Sequence, residues 1–167
     1  MKVLYLWLIK LVSGLNLFRS RNKVIYLMSF DDNVDFIKEL AQKIPSKMTL
    51  IVLYRPDTEA AATDLAAFGL ITRPFRDGVK FVFDLVPLLM SAKLIICDNY
   101  YAFLGGLHRR RDTKIVQIWH AAGQSKSLVG KIGRLLTAAS PISSGFKRSM
   151  TILTSILLLQ KRWEMFL

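Results

Sequence analysis

The chain has 167 residues and a mass of 19.0 kDa, room for one domain and not for two of full size. Its residues are 52% hydrophobic and 22% charged, which excludes a wholly disordered chain. One cysteine, Cys97, and two histidines, His108 and His120, exclude a disulfide framework and a multi-cysteine zinc site. A net charge of +12 and a pI near 10.1 call for an anionic partner: nucleic acid, phospholipid or a phosphorylated substrate.

The first segment, residues 1–18 (MKVLYLWLIKLVSGLNLF), is apolar with Lys2 and Lys10 as its only charges. Lys10 interrupts the run, and no clear small-residue cleavage site follows, so it is a poor signal peptide. It is also too short and interrupted for a membrane span. Its Lys, Trp and Leu content, followed by Arg19, Arg21 and Lys23, predicts an amphipathic segment on an anionic leaflet. The alternative is a helix packed on its own domain. No acidic residue occurs in the first 30 positions.

From Lys23 the chain alternates strand and helix. Lys23–Phe30 reads as a strand, with Asp31 and Asp32 as cap residues for a helix over Asn33–Ile44. In that helix Val34, Ile37, Leu40, Ala41 and Ile44 share a face, and Pro45-Ser46 breaks it. Met48–Tyr54 is a second strand, and Arg55-Pro56-Asp57 a turn. Thr58–Phe68 is an Ala-rich helix ending at Gly69, and 71–74 is a short connection or strand. Val79–Ala92 reads as a helix with Pro87 as a kink or first-turn residue. Leu94–Cys97 is a buried strand, Tyr100–Leu107 holds a helix start, and Lys114–Trp119 is a last strand, with His120 directly after it. Continuous apolar strands separated by helices predict an α/β domain, a Rossmann-like parallel sheet covered on both faces. No GxGxxG follows the first strand, so a dinucleotide fingerprint is absent.

In such sheets ligands bind outside the carboxyl ends of the strands. Three segments fall there: Ser29-Phe30-Asp31, Asp98-Asn99-Tyr100-Tyr101 and His120-Ala121-Ala122-Gly123. A His directly after a buried strand, followed by small residues and Gly123, sits at a tight turn. It can serve as a general base, and a following helix N-terminus can receive phosphate. The bland alternative is a histidine that only hydrogen-bonds a loop. His108 with Arg109, Arg110 and Arg111 could hold phosphate or nucleic acid, though such runs are more often solvated loops. Tyr100 and Tyr101 lack a flanking stacking motif, and Cys97 reads as core.

The run Val116-Gln117-Ile118-Trp119-His120-Ala121-Ala122-Gly123, preceded by Asp98-Asn99-Tyr100-Tyr101 and a basic stretch, resembles the CDP-glycerol glycerophosphotransferases. These enzymes make teichoic acids and related polymers of Gram-positive envelopes. The resemblance spans roughly Lys23 to Gly123. It implies the N-terminal half of a GT-B enzyme, two Rossmann-like domains facing a cleft. It also implies His120 as the base on an acceptor hydroxyl, with Asp98, Asn99 and Gly123 shaping the substrate side. CDP-glycerol would be the donor, and a polyol-phosphate or lipid-linked chain the acceptor. No metal or other cofactor is called for. The site of action would be the cytoplasmic face of the cell membrane, at an anionic membrane surface, with no nucleic-acid partner.

The sequence departs from the family after Gly123. Family members continue with lysines, Phe-Gly and an acidic helix, then a donor domain. Here residues 124–167 carry seven basic residues against Glu164 alone and show no clean period, so half of the net charge lies in the last quarter of the chain. Restoring one A between the codons of Gly123 and Gln124 allows the continuation G-T-I-K-K-F-G-W-E-D, which is family-like. The expected organisation is therefore a membrane-proximal segment over 1–22, an acceptor-side domain over 23–123 and an out-of-frame tail over 124–167. Such a chain would lack the donor site and be inactive alone. Two rivals stand beside it: a non-enzymatic, basic, membrane-associated protein, and a nucleic-acid-binding α/β domain.

Overall fold

The computed structural model describes residues 2–17, 22–108, 113–118 and 125–137, all within one compact unit, Met1–Thr137. A five-stranded parallel sheet forms its centre: β1 (Lys23–Met28), β2 (Thr49–Tyr54), β3 (Ile71–Pro74), β4 (Ala92–Cys97) and β5 (Lys114–Gln117), in the order β3-β2-β1-β4-β5. The fold is the α/β, Rossmann-like one that the apolar runs predict. β1 lies at the centre because it is the most completely apolar strand: residues 24–28 are all buried. A parallel strand covered on both faces must be apolar on both.

Seven helices cover the sheet among the described residues: α1 (Lys2–Leu15), α2 (Val34–Lys43), α3 (Glu59–Ala67), α4 (Val79–Asp84), α5 (Val86–Met90), α6 (Phe103–Gly106) and α7 (Ser125–Thr137). On one face Ile25, Leu27, Ile51, Leu53, Ile95 and Cys97 meet Ile9 and Val12 of α1 and the buried side chains of α4, α5 and α6. The alternate residues Val24, Tyr26 and Met28 turn to the other face, where the Tyr26 ring lies 6.3 Å from that of Phe36 on α2. There α2 packs between α3 and α7. This two-sided arrangement is what right-handed crossovers produce when β1 leads outward to β2 and β4 leads outward to β5.

Several boundaries have local causes. Gly69 adopts φ 95°, the left-handed conformation that ends α3. The Leu70 N–H then closes the turn on the Leu65 carbonyl at 3.1 Å. The single helix expected over 79–92 is two, α4 and α5, joined at Leu85, with Pro87 in the first turn of α5, where its missing N–H is no loss. Its last residue, Ala92, already belongs to β4. Gly106 ends α6 against α1. A Cβ there would lie 3.2 Å from the Leu6 carbonyl oxygen and 3.3 Å from Ile9 Cγ2, so any larger residue would push α1 back by a few tenths of an ångström.

The segment after Gly123, expected to lack periodicity, contains α7. Val129, Ile132 and Leu136 are buried at i, i+3 and i+7, which is the stripe a helix needs to seat on α2. The period is short and is diluted when the whole tail is read together. Lys93 Nζ donates to the Leu136 carbonyl at 3.4 Å, a cation at a helix C-terminus. Residues 138–167 of the tail lie outside the described residues.

Candidate functional site

Chain direction away from β1 reverses between β2 on one side and β4 on the other. The crevice at the carboxyl ends of β1 and β4 is therefore the switch point of the sheet, the place where open α/β folds bind ligands. Asp98 follows β4 directly and stands in this crevice with 0% exposure. Its carboxylate crosses to the end of β1. Oδ1 accepts the Ser29 N–H at 2.9 Å, and Oδ2 accepts those of Ser29 and Phe30 at 3.0 and 3.2 Å. Asn33 Nδ2, at 3.5 Å from Oδ2, adds a weaker contact. Burial pushes the Asp98 carboxyl up to about 6, against the downward pull of these donors.

The cluster continues outward. The Ser29 hydroxyl bonds the Tyr101 hydroxyl, and the Tyr101 ring packs among Phe75 and Phe103 at 5.8 and 5.3 Å. Burial raises Tyr101 well above the ordinary phenol range. Two buried atoms beside this network have no protein partner, the Tyr26 hydroxyl and Asn33 Oδ1. Arg55 follows β2, and its positive charge reaches Tyr101 and partly offsets that rise. Arg55 is exposed and forms a loose 3.7 Å pair with Asp57, so it can turn to an incoming anion.

The sequence-predicted site residues divide. Asp98 is at the crevice but sealed, its oxygens occupied by backbone donors, so its part is to hold the β1 loop. Asn99 is half-buried beside it and accepts the Tyr100 N–H at 2.7 Å through its own Oδ1. His120 and Gly123 lie outside the described residues. The chain leads towards them from β5: Ile118 is buried, and its N–H donates to the Cys97 carbonyl at 2.7 Å, adjoining Asp98. Cys97 is core: burial pushes its thiol up to about 12, and Sγ donates to the Val116 carbonyl at 3.7 Å. His108 is exposed and held against α1. Its N–H donates to Ser13 Oγ at 2.9 Å, and Nδ1 lies 3.0 Å from the Lys10 carbonyl oxygen, tying it to α1. Arg109, Arg110 and Arg111 lie outside the described residues. Among the described residues, no group of three or more His, Cys, Asp or Glu could hold a metal ion.

Sequence reasoning placed Ser29 at this edge but missed Asn33 and Arg55 as members of it. Asp98 was legible, because a carboxylate after four apolar strand residues must find donors. Which donors it finds depends on the pairing of β1 with β4, 69 residues apart for Ser29, which no local pattern discloses.

No family model matches the chain. It is, however, 29% identical over 108 residues to the teichoic acid glycerol-phosphate primase of Bacillus subtilis (strain 168), covering 65% of this chain and 28% of that protein. It is also 29% identical over 106 residues to the teichoic acid glycerol-phosphate primase of Staphylococcus aureus (strain NCTC 8325 / PS 47), covering 62% of this chain and 27% of that protein. These two matches support the resemblance to the CDP-glycerol glycerophosphotransferases. The match spans a little over a quarter of the length of these curated relatives.

Proposed function

We propose that this chain forms the acceptor-side, Rossmann-like half of a glycerol-phosphate transferase of GT-B architecture. CDP-glycerol would be the donor, and a polyol-phosphate or lipid-linked teichoic-acid-type chain the acceptor. The observation that carries the reading is the match to two glycerol-phosphate primases by a chain whose last described strand, β5, runs at its carboxyl end into Trp119-His120. His120 is the general base: its ring nitrogen takes the proton of an acceptor hydroxyl. The freed oxygen attacks the β-phosphorus of CDP-glycerol, the bond from that phosphorus to the bridging oxygen breaks, and CMP leaves with the electron pair. Phosphoryl transfer of this kind depends on positioning and charge neutralisation, which suits Arg55 at the crevice and Asp98 holding its floor. Asn99 and Gly123 are the residues this reading assigns to the acceptor side.

The test begins with the gene, read from the codon of Ala122 through several hundred bases past Leu167. The reading expects a frame shifted by one base to run on into a second Rossmann-like domain. The protein made from that frame should release CMP from CDP-glycerol in the presence of acceptor. His120→Ala should abolish release while leaving the melting temperature unchanged. A shifted frame that closes at once, or a restored protein that leaves CDP-glycerol intact, would overturn it.

A further inference from the structure

The charge of this domain is sorted by edge. Acidic loop residues such as Asp31, Asp32, Asp57 and Glu59 follow β1 and β2, at the carboxyl edge of the sheet. The amino edge is basic. Lys47 stands two residues before β2, Lys23 opens β1, Lys93 is the second residue of β4, and Lys114 opens β5. The strands β2, β1, β4 and β5 are neighbours in that order, so this rim carries one lysine on each of four adjacent strands. At a strand spacing of about 4.8 Å the row is about 14 Å long. The register keeps it level: Lys23 pairs with Thr49 and Ala92, and Lys114 with Leu94. Lys43, the last residue of α2, adds a fifth cation at this end. Lys47 and Lys114 are exposed, and among the described residues no carboxylate pairs with any of the five. Lys93 is partly engaged, through its Nζ, with the Leu136 carbonyl.

We propose that this rim is a holding site for a linear phosphodiester chain without bases, of the poly(polyol phosphate) type, separate from the crevice. A row favours a chain over a single phosphate. One phosphate needs donors that converge on a point, and these side chains stem from different strands. Lysine is a point charge on a flexible stem, without the bidentate fork of arginine, which suits successive phosphates held in no fixed register. The rim offers no free stacking platform. The exposed aromatic at this edge, Phe68, already has Lys38 Nζ over its ring at 5.6 Å, so bases gain little there. Between β2 and β5 the rim also exposes no large apolar side chain among the described residues, so a bilayer has nothing to take up. The strands are up to six residues long, which puts rim and crevice about 20 Å apart. A flexible chain held at the rim spans that distance and can present its free end to the crevice. The choice of a polyol phosphate over other polyanions rests on the transfer reading; the row itself does not.

The test is binding of the full chain to fluorescently labelled, lipid-free poly(glycerol phosphate), read by anisotropy across a salt series. The parent should bind and weaken steeply with salt. Lys23→Gln/Lys47→Gln/Lys114→Gln should lose about tenfold or more in affinity, and its slope of log affinity against log salt should be shallower by about 2, at about 0.7 per phosphate contact removed. Lys10→Gln/Arg76→Gln/Lys80→Gln takes the same charge from the side of α1 and α4 and should bind as the parent does. Circular dichroism and melting temperature serve as the folding check; Lys47→Gln/Lys114→Gln, at two exposed positions, is the second variant should the first unfold. Equal loss in the two triple variants would overturn the proposal, since net charge alone would then hold the chain. So would a first triple that binds as the parent does, displacement by glycerol 3-phosphate at the same phosphate concentration, or tighter binding of an oligothymidylate of equal charge. The readout is binding and not release of CMP, so its failure and the failure of the transfer reading are separate results.

Discussion

Asp98 exchanges water for the N–H groups of Ser29 and Phe30, and the exchange has two measurable consequences. Removing the acceptor in Asp98→Ala strands two buried donors and should destabilise the domain by about 2–4 kcal/mol in urea denaturation. The second consequence concerns pH. Unfolded, the carboxyl titrates near its ordinary 3.8; folded, near about 6. Between those values the folded state holds more protons than the unfolded one, so the Asp98 contribution is fully present below pH 4 and is lost as the pH rises through 6. The loss amounts to about 3 kcal/mol at most. Asp98→Asn should flatten that part of the stability profile relative to the parent. An unchanged slope would mean that the crevice leaves the carboxylate better solvated than its burial implies. Of the site residues, the sequence discloses Asp98 and Asn99 by their place after an apolar strand. Ser29 is marked in the same way by its place after β1, whereas Asn33 and Arg55 carry no such mark and become visible only when β1, β2 and β4 are side by side.

Among the elements, the strands are the most legible because each is a continuous apolar run bounded by turn residues. Lys23, Thr49, Ile71 and Lys114 open four of them within a residue of expectation. The helices between β3 and β4 are less so: Val79–Ala92 has one apolar period throughout, and only the packing of Phe81, Val86 and Leu89 on the sheet divides it at Leu85. α1 shows how a helix can satisfy two descriptions at once. Its period supports an amphipathic segment, and its inner arc packs on the domain. Where it crosses α6, Gly106→Ala should push Leu6 and Ile9 away and lower stability by about 1–3 kcal/mol in thermal denaturation, whereas Gly105→Ala, with open space at its Cβ, should be close to neutral. Equal effects of the two would mean that α1 can slide on α6.

At the scale of the whole molecule, the α/β class follows from the alternation of runs, and the central place of β1 follows from its apolarity on both faces. The extent of the folded unit is harder to read. α7 belongs to the same compact unit as the sheet, and Ile132, buried on α2, reports whether the chain beyond Gly123 supports the fold. Ile132→Ala should lower stability by about 2–4 kcal/mol; no loss would mean that α2 is stable with its outer face open. The sheet order also imposes a timetable. β1 finds β2 soon after it is made, but its other edge stays open until β4 arrives, and 69 residues separate Ser29 from Asp98. At a synthesis rate of about 5–20 residues per second, this interval is roughly 3–14 seconds on the ribosome. During that time the most apolar strand of the protein has an unpaired edge, and nascent chains held on neighbouring ribosomes can pair through it. The Ser29 and Phe30 amides are covered by Asp98 only when the interval ends, so their protection from exchange times the completion of the sheet.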